Sequence, residues 1–300
     1  MSYTLILPLI STGNVPQLTT DLILENNSNL QRIENYFNTD LQVLLHSFAG
    51  FDNNKILSGI EVYEDDVNKI VVIQQRSPII TPFELKFYKT LFNQLMFSEN
   101  SKFYNKINKV IILDSVSGSD PYIDMIKSEK YDNLYQLPNF LKVAVSNLNP
   151  DINKEYFTKM NESLTQYYNE LKENIKNPQV QYTDAYFHSN EILPKLNDTI
   201  LTFEGDSFQK RIIVESNVLK IVSSLVNDNT SSKIDISYLN MLVYEGDNSL
   251  DARDYLFILA EKLLPKIIDL QKQQLKTPAS WVNIYGSKHL TKELRESIYS

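Results

Sequence analysis

Tyr3-Thr4-Leu5-Ile6-Leu7-Pro8-Leu9-Ile10 is rich in leucine and β-branched residues, and Ser11-Thr12-Gly13-Asn14 turns the chain directly after it. Pro16 then stands where a first helical residue belongs, because its fixed φ and missing N–H suit that position. Leu18, Leu22 and Ile23 follow at helical spacing. Strand, turn and helix in this order make a βα unit, and that unit sets the fold class.

The same alternation continues outward. Gln42 to Phe48, Ile56 to Tyr63 and Lys69 to Gln75 read as strands, two of them joined by a Glu64-Asp65-Asp66 turn. Pro82 opens a helix through about Phe97, with Leu85, Tyr88, Leu91, Phe92 and Leu95 on one side. Lys109 to Leu113 reads as a buried strand, because its apolar residues run together without alternation. Val218, Ile221, Val222 and Leu225 form a helical stripe, and Ile234 to Tyr244 a strand. Leu250 to about Gln274 reads as the longest helix, kinked or split at Pro265.

These patterns predict a single α/β domain over residues 1–276, with a mostly parallel central sheet flanked by helices on both faces. Residues 147–198, dominated by Asn, Lys, Glu and Tyr, read as a helical insertion. Residues 277–300 read as a flexible C-terminal tail.

Composition excludes several functions. The net charge of −8 argues against a nucleic-acid groove, which needs clustered Lys and Arg. The absence of cysteine removes disulfides, thiolate catalysis and Cys-ligated zinc together. No window approaches a membrane span, and Met1-Ser2-Tyr3-Thr4 with Pro8 close behind makes a poor signal peptide. The expected location is the cytosol or the nucleus.

Glu245-Gly246-Asp247-Asn248-Ser249-Leu250-Asp251-Ala252 offers two readings, an acidic active-site or metal loop and a helix start. It lacks the glycine position and the closing bidentate Glu of a calcium loop. Asn248 and Asp251 fit a cap and the positive end of the helix dipole, so the helix start is preferred. His46, His188 and His289 have no metal-ligand spacing, and Ser115 and Ser117 have no nucleophile elbow. No metal, cofactor or catalytic group is therefore expected. The enzyme candidate that survives is a strand-end pocket around Gly118 and Arg76, in a nucleoside phosphorylase or hydrolase type of sheet. Last come Ile298-Tyr299-Ser300, where an aliphatic residue, a ring and a carboxylate can act together as a plug.

Several of these words together resemble the proteasome assembly chaperone 2 family, most of all its fungal branch. They are Leu7 to Leu18, Gln74-Gln75-Arg76-Ser77-Pro78, Asp114-Ser115, Ser207-Phe208-Gln209, the Glu245-to-Ala252 turn, and Ser280-Trp281 with Tyr285-Gly286. The resemblance implies an α/β chaperone without catalytic activity. It implies a heterodimer with proteasome assembly chaperone 1, seated on the α-subunit ring of the core particle. There it would promote ring assembly and block premature regulator binding. The family's hydrophobic-Tyr-any motif falls on Ile298, Tyr299 and Ser300.

Overall fold

The computed structural model describes residues 2–48, 50–52, 55–117, 143–147, 200–201, 221–222, 225, 234–268 and 275–281. Strand β1 (Tyr3–Pro8) leads through a 3-10 turn (Thr12–Asn14) into α1 (Val15–Asn26), with Pro16 in the helix's first turn. The opening βα unit is thus as the sequence predicts. Then come β2 (Gln31–Ile33), α2 (Thr39–Gln42), β3 (Gly50–Asp52), β4 (Lys55–Leu57), β5 (Ile60–Asp65), β6 (Ile70–Gln75) and α3 (Glu84–Phe92). The long β7 (Ile107–Ser117) is followed by β8 (Val143–Asn147), β9 (Ile200–Leu201), β10 (Asp235–Val243) and α4 (Ser249–Ile258).

The main sheet has the order β2-β5-β6-β1-β7-β10-β8-β9. Its central four strands, β6, β1, β7 and β10, are parallel. The strands outside them pair antiparallel, so the parallel character belongs to the centre. Side chains alternate between two cores. On one face Ile6, Ile70, Val72, Ile111, Leu113, Leu239 and Met241 pack against Leu18, Leu22 and Ile23 of α1 and Ala252, Tyr255 and Leu256 of α4. On the other, Leu5, Leu7, Val71, Ile73, Val110, Ile112 and Ile236 meet Phe87, Tyr88, Leu91 and Phe92 of α3. Ile221, Val222 and Leu225 are buried in that second core, as their spacing predicts; Val218 lies outside the described residues. Burial on both faces is what makes the strands read as unbroken apolar runs. The expected α/β class holds.

Four local expectations change. Gln42 to Phe48 is not a strand. Asn38 Oδ1 accepts the Leu41 N–H at 3.3 Å and starts α2, and Leu41, Leu44 and Leu45 are buried at one-turn spacing. Ile56 to Tyr63 is broken at Ser58-Gly59, because β4 pairs with β3 in a separate hairpin while β5 joins the main sheet. The turn before β6 starts at Asp66, not Glu64, since Glu64 and Asp65 are still paired with Val71 and Ile70. Finally, Thr81-Pro82 is a cis peptide and α3 begins at Glu84. The predicted break at Pro265 is present. α4 runs on through a π-helical turn (Leu259–Leu263), and Leu264 leaves helical geometry at φ −145°, as a residue before proline prefers. The 147–198 insertion lies outside the described residues, apart from Asn147 at the end of β8.

Candidate functional site

From β1 the chain crosses toward β6, whereas β7 lies on the other side and leads to β10. That reversal opens a crevice at the carboxyl ends of the strands, where open α/β sheets hold ligands. A hollow of about 530 Å³ lies there, lined by Ile10, Ser11, Thr12, Gly13, Asn14, Glu245 and Gly246. Gly13 has φ +66°, and a Cβ on it would stand 2.4 Å from Asn248 Nδ2, so the loop after β1 and the turn after β10 close on each other through a glycine.

Below the hollow is a polar hub. The Ser11 and Ser115 hydroxyls are 2.9 Å apart, and Ser115 Oγ donates to Thr12 O at 2.6 Å. The Ser115 N–H donates to Ser11 Oγ at 3.1 Å and to Asp114 Oδ1 at 2.8 Å. Tyr238 on β10 donates to Asp114 Oδ2 at 2.7 Å. Tyr255 on α4 accepts the Asp114 N–H at 3.2 Å and presents its own proton to the carbonyls of Asp114, at 2.9 Å, and Leu239. Burial pushes the Asp114 carboxyl up to about 6, against the hydrogen bonds from Tyr238, Ser115 and Ser11. No cation takes part in these hydrogen bonds. Each serine hydroxyl already serves its neighbour or the backbone, and among the described residues no histidine completes a nucleophile–base pair.

Arg76 has a different fate from the one an anion site would need. It pairs with Asp21 on α1 at 3.4 Å and with Glu61 on β5 at 3.6 Å. Glu61 also accepts from Arg32 at 2.8 Å and from Tyr63 at 3.0 Å. Asp21 accepts from Gln74 at 2.5 Å and from the Trp281 indole N–H at 3.3 Å. The guanidinium thus joins α1 to the sheet through Asp21 and Glu61. Gly118, its partner in the enzyme reading, lies outside the described residues.

The acidic stretch starts α4, but through a different side chain. Asp247 Oδ1 accepts the Ser249 N–H at 3.1 Å, while Asn248 turns back and donates to Tyr244 O at 2.8 Å. Asp251 lies in the first helical turn. Glu245 lines the hollow. His46 is exposed on the loop after α2. His188, His289 and the proposed plug Ile298, Tyr299 and Ser300 lie outside the described residues. Sequence reasoning missed Asp21, Tyr238, Tyr255 and the anchoring part of Trp281. Asp21 carried one signal, a carboxylate beside Leu22 in the apolar stripe of α1.

No protein-family model matches the chain. It is 25% identical over 296 residues to proteasome assembly chaperone 2 of Saccharomyces cerevisiae, covering 94% of each chain. Proteasome assembly chaperone 2 of Nematostella vectensis is 31% identical over 124 residues, 39% of this chain and 48% of that one. Among solved structures, Pyrococcus furiosus PbaA, titled an archaeal homolog of proteasome-assembly chaperone, overlaps 88% of this chain and 86% of its own at 12% identity. Its TM-score of 0.39 is too low to bear on function. The family that the sequence words resemble is also the one its curated relatives are named for, and along nearly its whole length this chain is similar to proteasome assembly chaperone 2.

Proposed function

We propose that this chain is a proteasome assembly chaperone that works by contact and not by catalysis. The observation that carries the reading is the identity of 25% across 94% of both this chain and the yeast relative named for that role. Two features of the fold support the contact reading. The strand-end serines are occupied by each other and by the backbone, and Arg76 is occupied by Asp21 and Glu61. In this proposal the chain pairs with proteasome assembly chaperone 1, in the cytosol or the nucleus. The pair sits on the α-subunit ring of the core particle, promotes its assembly and holds regulators off.

Contact with the ring is assigned to Ile298, Tyr299 and Ser300. The aliphatic side chain and the ring fill a pocket between α subunits, and the carboxylate meets a cation there. A charge-assisted contact of this kind contributes roughly 1.5–3 kcal/mol. Removing the three residues should therefore weaken core-particle binding about tenfold or more, measured by pull-down or interferometry with purified α rings, and leave the circular dichroism unchanged. Undiminished binding by the truncated chain would refute the plug.

A further inference from the structure

Three prolines of the chain follow a hydroxyl residue, in Ser77-Pro78, Thr81-Pro82 and Thr277-Pro278, the dipeptide that proline-directed protein kinases modify. The fold treats the three hydroxyls differently. Ser77 is buried and donates to His46 O at 2.5 Å. Thr81 is exposed in the turn before α3. Thr277 is exposed as well, and its Oγ1 accepts a hydrogen bond from the Arg253 guanidinium on α4 at 2.7 Å. Around it the segment from Leu275 to Trp281 lies on the α1–α4 core as a strap. Leu275 packs against that core, Trp281 is 1% exposed within it, and Asp21 clamps the indole N–H at 3.3 Å. Asn26, at the end of α1, exchanges hydrogen bonds with the Lys276 backbone at 3.0 and 2.7 Å. Both ends are therefore seated, and Lys276 and Thr277 stand out between them. Residues 275–278 belong to no helix or strand, and a residue before proline is turned away from the helical region toward extended backbone. That is the form a kinase's substrate groove takes.

We propose that Thr277 is a phosphorylation site for a proline-directed kinase, and that Arg253 receives the phosphate and locks the strap. The proposal does not depend on the role argued above for the chain. In the transfer, the γ-phosphorus of a nucleoside triphosphate gains a bond to Thr277 Oγ1 and loses its bond to the bridging oxygen of the departing nucleoside diphosphate. The hydroxyl proton passes to the kinase's catalytic carboxylate. The product carries roughly two negative charges at neutral pH and new acceptor oxygens, next to the atom that Arg253 already touches. One neutral acceptor is thereby exchanged for a charged one that a guanidinium can grip with two N–H groups. Lys276, one residue away, adds a second positive charge. The acids of α4 stand on other sides of the helix, since Asp254 lies about 100° round it from Arg253 and Asp251 about 160°. Pro278 is buried, so the kinase reaches its motif when the strap lifts, and the phosphate then holds the strap down. A charge pair this exposed shifts an equilibrium by a few-fold, so lifting should become about threefold rarer.

The test takes the folded full chain, a proline-directed kinase and magnesium ATP, with the modified residue mapped by mass spectrometry. Thr277 should take up phosphate, and Thr277→Val should lose that phosphate. Two backbone amides report the strap, Lys276 N–H on Asn26 Oδ1 and Trp281 N–H on Pro278 O. In the phosphorylated chain both should exchange with deuterium about threefold more slowly. Arg253→Ala should still be phosphorylated but show no slowing. Arg253→Lys, which keeps the charge without the fork, should show part of it. Far-UV circular dichroism checks the fold, and where Arg253→Ala fails it, Arg253→Lys carries the comparison. Phosphate absent from Thr277 of the folded chain, or found at Thr81 alone, overturns the site. Slowing that is missing in the parent, or undiminished in the Arg253 variants, overturns Arg253 as the receiver.

Discussion

At the amino ends of the parallel strands Asp65 is fully buried, and at their carboxyl ends Asp114 is nearly so, yet the two carboxylates are held in opposite ways. Asp65 closes β5, and the turn after it aims amides back: the Asn68 N–H and Nδ2 at 2.8 Å each, and Asn27 Nδ2 at 3.2 Å. Burial alone would raise its pKa, but those hydrogen bonds outweigh it and hold the carboxyl below the usual range. Asp114 sits inside β7, where most neighbouring amides serve the ladder, and it finds one N–H, the Tyr238 hydroxyl and the Ser11 hydroxyl. There burial wins, and the carboxyl rises to about 6. A turn can aim several backbone N–H groups at one oxygen pair, whereas inside a strand most backbone N–H groups are committed to the ladder. The amino end is built for stability, while the end that carries the hollow accepts an electrostatic cost.

The strongest way to break this contrast is Asp65→Ala. It strands the Asn27 and Asn68 donors and should cost about 4 kcal/mol in urea unfolding, since hydrogen bonds to charged groups contribute roughly 1.5–3 kcal/mol each. A loss below about 1 kcal/mol would mean the amino end is not so anchored. Asp114→Asn tests the other end. The folded pKa lies above the unfolded one, so the stabilisation by protonation is complete below about pH 4 and is lost as pH rises through about 6, a swing of about 3 kcal/mol. The variant should lack that swing and, near neutral pH, be at least as stable as the parent. For Asp65 the sign is reversed, because its lowered pKa gives stability at neutral pH that is lost as acid protonates it. Gly13→Ala places a Cβ 2.4 Å from Asn248 Nδ2 at φ +66° and should lower stability by about 2 kcal/mol. A neutral result there would show that the loop after β1 can part from the turn after β10. Smallest is Asp247→Ala, about 1 kcal/mol through loss of the cap on Ser249, readable as a shift in thermal midpoint.

What could be read in advance follows from where the information is local. The opening βα unit, β6, β7 and β10 announce themselves by composition, and Pro265 ends its helix by its own covalent geometry. Gln42 to Phe48 misled because leucines at one-turn spacing, interleaved with polar residues, also resemble a short strand. The Asn38 cap that decides the matter lies four residues upstream. The α4 start was legible in place but not in atom, since Asp247 and Asn248 are chemically alike and only the backbone direction selects between them. The hub and the clamp were not legible. Asp114–Tyr238 and Asp21–Trp281 join residues more than a hundred positions apart, and nothing in either neighbourhood names the partner.

The placement of β7 has a consequence for how the chain is made. One edge of β7 is covered early by β1, but the other is covered among the described residues only by β10, which begins at Asp235. Until that stretch has left the ribosome, Val110 to Leu113 stand on an open, apolar strand with unpaired amides, a template that invites wrong neighbours. At synthesis rates of about 5–20 residues per second the exposure lasts on the order of ten seconds. In the role proposed for it, a supervisor of the assembly of other chains would thus spend the middle of its own birth in need of supervision.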